Sequence, residues 1–392
     1  MRMTDVHDDV SDLQHEAPLS EIGKADVYGK TSPQKILIGL VGMGVTGYVM
    51  WTLFLSFGLR PEWYADQKIL IGVIAIVVGV GGAAILFWFL NMFVEGLPQR
   101  ASLAVIPYAY LLPGFGLMSL MLLFPAVLTI HNSFANADTT AYVGFENYKE
   151  IFGDQEFRDS LFNNVLWLLF VPVITVAFGI AVAVLADKLS KRGESVSKAI
   201  IFLPMAISFV GASAIWNLVY AYNNPGAPQT GLLNAIYVGI TGNDPQTWLQ
   251  NDTLHLNSFL LMVILIWLQV GFAMTLLSSA IKGVPEDTIE AARIDGATEW
   301  QIFWKVVLPQ IKGTTITVFI TVLILVLKIF DIVYVLTNGR FNTNVIANLF
   351  FFTLFKGGDN GISSAIVVVL LIAVLPVLVY QVRHFRAEEA NR

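Results

Sequence analysis

The chain has 392 residues, 56% of them apolar and only 13% charged, with a mean hydropathy of +0.67. A soluble domain carries about 25% charged residues, so this composition excludes an ordinary soluble fold and points to a chain that lives in a bilayer. The net charge of −6 comes without a basic tract, so nucleic acid is not an expected partner. With no cysteine and five scattered histidines, no metal, disulfide or cofactor site is expected.

In chain order, residues 1–35 are acidic and poor in apolar side chains, and they read as a disordered tail. The stretch Gly23–Thr31 glances at a phosphate-binding loop. Its spacing is one residue too long and no strand precedes it, so ATP binding by this chain is not expected. A membrane helix needs about 20 mostly apolar residues. Eight stretches qualify: Ile36–Gly58, Ile69–Met92, Ala104–Ile130, Asn164–Ala186, Ala199–Tyr222, Asn257–Ile281, Gly313–Leu336 and Ile362–Val382. A polar segment precedes the first, which is also too long for a cleaved signal. Pro107 and Pro113 make a break in the third an expectation. The expected organisation is therefore all-α: a tail (1–35), a membrane hairpin (36–104), a core (105–385) and a second short tail (386–392).

Lys and Arg set the orientation, because positive charge stays on the cytoplasmic side. With the N-terminus inside, sixteen Lys and Arg fall in inside segments and six in outside segments, and Lys328 lies within a span. The outside loop from Asn223 to Leu256 has none. Both ends are thus expected in the cytoplasm.

The inside loop 282–312 is the most informative. Pro285 suits the start of a helix because its missing N–H would have no partner there. Glu286 and Asp287 then complement the helix dipole, and Gly296 can take the left-handed conformation that ends a helix. Thr298 and Gln301 have capping-box spacing for a second helix, which runs through Trp300, Ile302, Phe303 and Val307 to Pro309. From spacing alone, a plain amphipathic linker is an equal reading.

The order Glu290-Ala291-Ala292, Gly296, then Val306-x-Leu308-Pro309 resembles the EAA loop of binding-protein-dependent permeases, with Val306 where isoleucine is usual. Further segments resemble the same family: Tyr142–Tyr148, Phe202–Ser208, Lys328–Asp331 and Leu336–Asn338. Eight spans resemble its maltose-permease branch. Met205–Trp216, Gly231–Ile236 and Asn344–Phe350 look most like alpha-glucoside permeases, while Gly339-Arg340-Phe341 departs from the common Gly-Gly-Pro. The resemblance implies a type I importer permease fold and a loop that docks in a groove of a cytoplasmic ATPase dimer. Glu290, Ala291, Ala292, Gly296, Leu308 and Pro309 would be its coupling residues. It also implies a second permease subunit, an extracytoplasmic solute-binding protein and a sugar substrate.

Polar side chains at membrane depth are candidates for the solute path. Ser213, Asn217 and Tyr220 share a helix face, with Trp216 adjacent, and Gln269 and Phe272 share another with Leu265 one turn earlier. By resemblance, Leu265, Gln269 and Phe272, together with Leu325, Val326 and Ile329, correspond to sugar-contacting positions of maltose-type permeases. The alternative is that Asn217 and Gln269 only bond neighbouring helices. Lys328 and Asp331, three apart, are expected to pair on one face in a structural or gating role. A proton-coupled carrier would need more buried carboxylates. A membrane enzyme would need acidic or histidine residues clustered at one membrane face, and none are evident.

Overall fold

The structure, a computed structural model, describes residues 31–59 and 68–390. The phosphate-loop look-alike and nearly all of the acidic tail lie outside the described residues. The chain divides into two units at Pro125.

In the first unit, α1 (Pro33–Leu59) and α2 (Lys68–Gly96) form the hairpin, followed by α3 (Gln99–Met118) and a π-helical turn at Ser119–Leu123. The first helix starts at Pro33, so residues 33–35 are helical and not tail. Glycines let the hairpin close: a Cβ at Gly39 would lie 2.7 Å from Phe93 Cβ. Lys35 pairs with Glu95 at 3.1 Å, and Asn91 accepts from Tyr110 of α3. That contact explains why the unit reaches past the boundary expected at 104–105. Helix α3 runs through Pro107 unbroken, and the irregular turn falls at Ser119–Leu123 instead.

The boundary falls near the start of α4 (Phe124–Asn132), and the second unit goes on with α5 (Glu146–Gly153) and α6 (Gln155–Asp187). Next come α7 (Lys191–Phe202), a 3-10 turn at Leu203–Ala206, α8 (Phe209–Val219), α9 (Leu232–Thr241) and α10 (Leu256–Lys282). The loop 282–312 supplies α11 (Glu286–Ile294), α12 (Glu299–Ile302), a π turn at Phe303–Val307 and α13 (Leu308–Gln310). The chain closes with α14 (Lys312–Leu327), α15 (Asp331–Leu336), α16 (Ile346–Phe355) and α17 (Asn360–Ala390). Helix α17 runs to Ala390, through residues 386–390 of the expected C-terminal tail, whose last two residues lie outside the described ones. Among the described residues no strand forms beyond one isolated bridge, Ala135 with Tyr142.

Among the described residues, six helices are long and apolar enough to cross a membrane, and two bent pairs raise the number to eight if each pair is one span. The stretch expected as a single fifth span bends by 104° between Lys191–Ala206 and Phe209–Val219. Pro204 sits in the 3-10 turn, Ile207 is extended, and Ser208 restarts the helix by accepting from Gly211 N at 3.1 Å. The seventh also departs from a single helix. Its approach bends by 71° at Gln310–Lys312, and α14 ends at Leu327.

The core lies where α6 and α10 pack against α14 and α15. Trp167, Leu261, Leu265, Leu268, Val322, Val326 and Ile332 are buried there. Small residues allow the approach, because a Cβ on Gly179 would lie 2.6 Å from that of Ala273. At the other end, asparagines hold the loop 337–345. Asn163 donates to Asn342 O and Asn344 O at 2.9 Å, Asn164 accepts from Ile346 N at 2.8 Å, and Asn257 donates to Phe341 O at 2.6 Å.

Candidate functional site

The loop 282–312 folds as two short helices about a glycine. Pro285 is the N-cap of α11 rather than its first residue, and Glu286 and Asp287 fill the first turn. Gly296 has φ +80°, a backbone that L side chains rarely adopt. Gly296 N bonds Arg293 O and Ala297 N bonds Ala292 O, both at 3.0 Å, the two bonds of a Schellman ending. Thr298 and Gln301 then close a reciprocal capping box. Across the hinge, Arg293 Nε meets Glu299 Oε1 at 2.8 Å. This bond holds the Glu299 carboxyl below and the Arg293 guanidinium above their ordinary values.

The loop has an inner and an outer face. Ile289, Ala292, Ala297, Val306 and Leu308 pack with Ile302, Val307 and Ile311 onto Val176, Ala273, Leu277 and Val318. Glu290, Ala291, Gly296 and Pro309 are exposed. The six expected coupling residues are therefore split: Ala292 and Leu308 face the chain's own core, and the other four face outward. Ile294, 87% exposed, and Trp300, 70% exposed, extend the outer face. Sequence reasoning left both out of the coupling set, although Ile294 lies four residues from Glu290 and three from Ala291, hence on their face.

The path candidates gather around α8 and α10. Trp216 and Tyr220 ring centroids are 5.3 Å apart, and Trp216 lies 5.8 Å from Trp267. Two of the polar groups are already used within the chain: Ser213 Oγ donates to Phe209 O at 2.8 Å, and the Tyr220 hydroxyl donates to Leu260 O at 2.9 Å. Tyr220, Leu265, Val326 and Ile329 are buried in the core cluster, Leu325 is half-buried, and Phe272 packs with the coupling-loop cluster instead. Asn217 is exposed and Gln269 is buried. Among the described residues, neither of their side chains forms a hydrogen bond within the chain, so neither bonds a neighbouring helix here.

Lys328 and Asp331 do not form the expected pair. Lys328 caps the end of α14 with φ −112°, Phe330 (φ −143°, ψ −59°) is neither helical nor extended, and Asp331 starts a new helix. The break removes the shared face that the three-residue spacing assumed, and no ion pair links the two among the described residues. Lys328 is exposed and Asp331 half-buried.

A helical membrane body with a glycine-hinged helix pair on the loop between two membrane helices is the permease fold of a type I ABC importer. The fold is shared with the solved structure of a bacterial ABC transporter that imports the acidic polysaccharide alginate. The TM-score is 0.62 at 21% identity, over 74% of this chain and 99% of that one. Residues 163–386 match the family described as "binding-protein-dependent transport system inner membrane component". The alpha-glucoside transport system permease protein AglF of Rhizobium meliloti is 42% identical over 340 residues, covering 83% of this chain and 99% of the relative. The osmoprotective compounds uptake permease protein GgtC of Synechocystis is 46% identical over 283 residues, covering 72% and 100%. The trehalose/maltose permease MalF of Thermococcus litoralis is 29% identical, covering 69% and 90%. The chain belongs to the binding-protein-dependent transport system inner membrane component family, and is a multi-pass transport subunit rather than an enzyme.

Proposed function

We propose that this chain is one of two permease subunits in an ATP-driven importer of a neutral di- or oligosaccharide of the alpha-glucoside type. Both termini face the cytoplasm, where the coupling loop docks on a partner ATPase dimer. A solute-binding protein delivers the sugar on the other side. The observation that carries the reading is the outer face of α11. Glu290, Ala291 and Ile294 stand exposed beside a backbone locked at Gly296, a rigid convex element that invites a partner. The sugar class rests on the likeness to AglF and MalF. GgtC gives a second reading, an osmoprotective solute handled by the same machinery.

The test is reconstitution in vesicles. The chain alone should not hydrolyse ATP. With a second permease, the ATPase and the binding protein it should, and it should accumulate labelled maltose or trehalose. ATP hydrolysis by the isolated chain refutes the reading. Uptake that alpha-glucosides fail to compete for, but compatible solutes do, moves it to the second. Within the path, Gln269 is assigned to the solute because its buried amide has no hydrogen-bond partner among the described residues. Gln269→Ala should lower sugar uptake about tenfold, the scale of losing a hydrogen bond of about 1.4 kcal/mol, with assembly unchanged. Unchanged uptake removes Gln269 from the path.

A further inference from the structure

A charged cluster stands at the root of the coupling loop, away from its outer face. Glu194 and Lys198 are four residues apart on α7, and Ser278 and Lys282 are four apart on the last turn of α10, so each pair lines one helix face. The two faces meet in antiparallel register. Glu194 accepts from Lys282, and Lys198 donates to Ser278. Asp187, the last residue of α6, sits between them. It lies 3.3 Å from Lys198 Nζ, 3.2 Å from Ser278 Oγ and 3.6 Å from Lys282 Nζ. Glu194 also accepts from Lys198 along its own helix. Two carboxylates and two ammonium groups therefore cancel, and three of the four are largely shielded, with side-chain exposure of 16% to 22%.

This network ties the inner ends of α6, α7 and α10 into one block. Lys282 is also the last residue before Gly283, Val284 and Pro285, which lead straight into α11. Val284 is buried, so there is little slack between block and coupling helix. A push on α11 can be absorbed at Gly283 or passed into the spans, and the Lys282 clamp decides which. We propose that Glu194 and Lys282 are positioning residues that make α6, α7 and α10 follow α11, so that ATP hydrolysis is converted into solute movement. The inference rests on the reading of the loop as an ATPase-docking element.

The experiment uses the complete reconstituted transporter and measures sugar moved per ATP hydrolysed. Glu194→Gln and Lys282→Gln should assemble normally and keep hydrolysing ATP. Their sugar-to-ATP ratio should fall roughly tenfold, the scale of losing one charged hydrogen bond. Because the chain has no cysteine, a Glu194→Cys, Lys282→Cys double variant can be bridged by a short thiol-specific linker. Its ratio should be low unbridged and recover on bridging, a gain that a merely bracing cluster would not produce. An unchanged ratio in both Gln variants overturns the proposal, as does loss of assembly in both. Bridging without recovery overturns it too. A wild-type complex in which the ATPase never binds sinks the docking reading instead, and this inference with it.

Discussion

At the residue scale the sharpest feature is Gly296. No atom lies within 4 Å of the place where its Cβ would sit, so a side chain is opposed there by the left-handed backbone alone, at about 1–2 kcal/mol. Gly296→Asn should be tolerated, because asparagine visits that conformation. Gly296→Leu adds strain and places bulk on the outer face beside Glu290. It should leave membrane abundance normal while ATPase co-purification and transport are lost. If Gly296→Leu retains the ATPase and imports at the wild-type rate, the loop is only a linker.

At the element scale, α6 and α10 are held together by contacts too close for any added atom. Gly179→Ala would bring two Cβ atoms to 2.6 Å, and overpacking of this kind typically costs about 1–3 kcal/mol. Gly179→Ala should therefore lower the thermal unfolding temperature of the purified chain measurably, whereas Gly114→Ala, with nothing within 4 Å of its Cβ, should not. The same scale shows what could be read from sequence. The apolar runs located the membrane helices, and the Thr298–Gln301 spacing located a cap, because both signals are local. The fifth and seventh stretches misled because hydropathy averages a window and does not see bends: Phe202 to Val219 stays mostly apolar through the turn at Pro204, and in Leu325 to Leu336 the apolar neighbours outweigh Lys328 and Asp331 at the break. That break also dissolved the Lys328–Asp331 pair. The split between Ala291 and Ala292 followed the helix rotation, which a three-letter motif does not encode. The cluster at Glu194 and Lys282 joins segments 88 residues apart, so no window of sequence could display it.

At the scale of the whole molecule, the cytoplasmic placement of both termini rests on the charge asymmetry of the loops. Thr230 and Ser195 are both exposed and fall on opposite sides of that arrangement. In intact cells Thr230→Cys should react with an impermeant maleimide from outside and Ser195→Cys should not; the reversed pattern would invert the topology. The asparagine clasp on the loop 337–345 carries a consequence for biogenesis. Its anchors, Asn163, Asn164 and Asn257, leave the ribosome long before the backbone groups they hold, those of Phe341, Asn342, Asn344 and Ile346. Until those arrive, α6 and α10 expose unmatched amides at the outer end of their bundle. A nascent chain arrested before residue 337 therefore leaves the amide N–H groups of Asn163 and Asn257 and the side-chain oxygen of Asn164 without these partners, a polar exposure that only the arrival of the later loop removes.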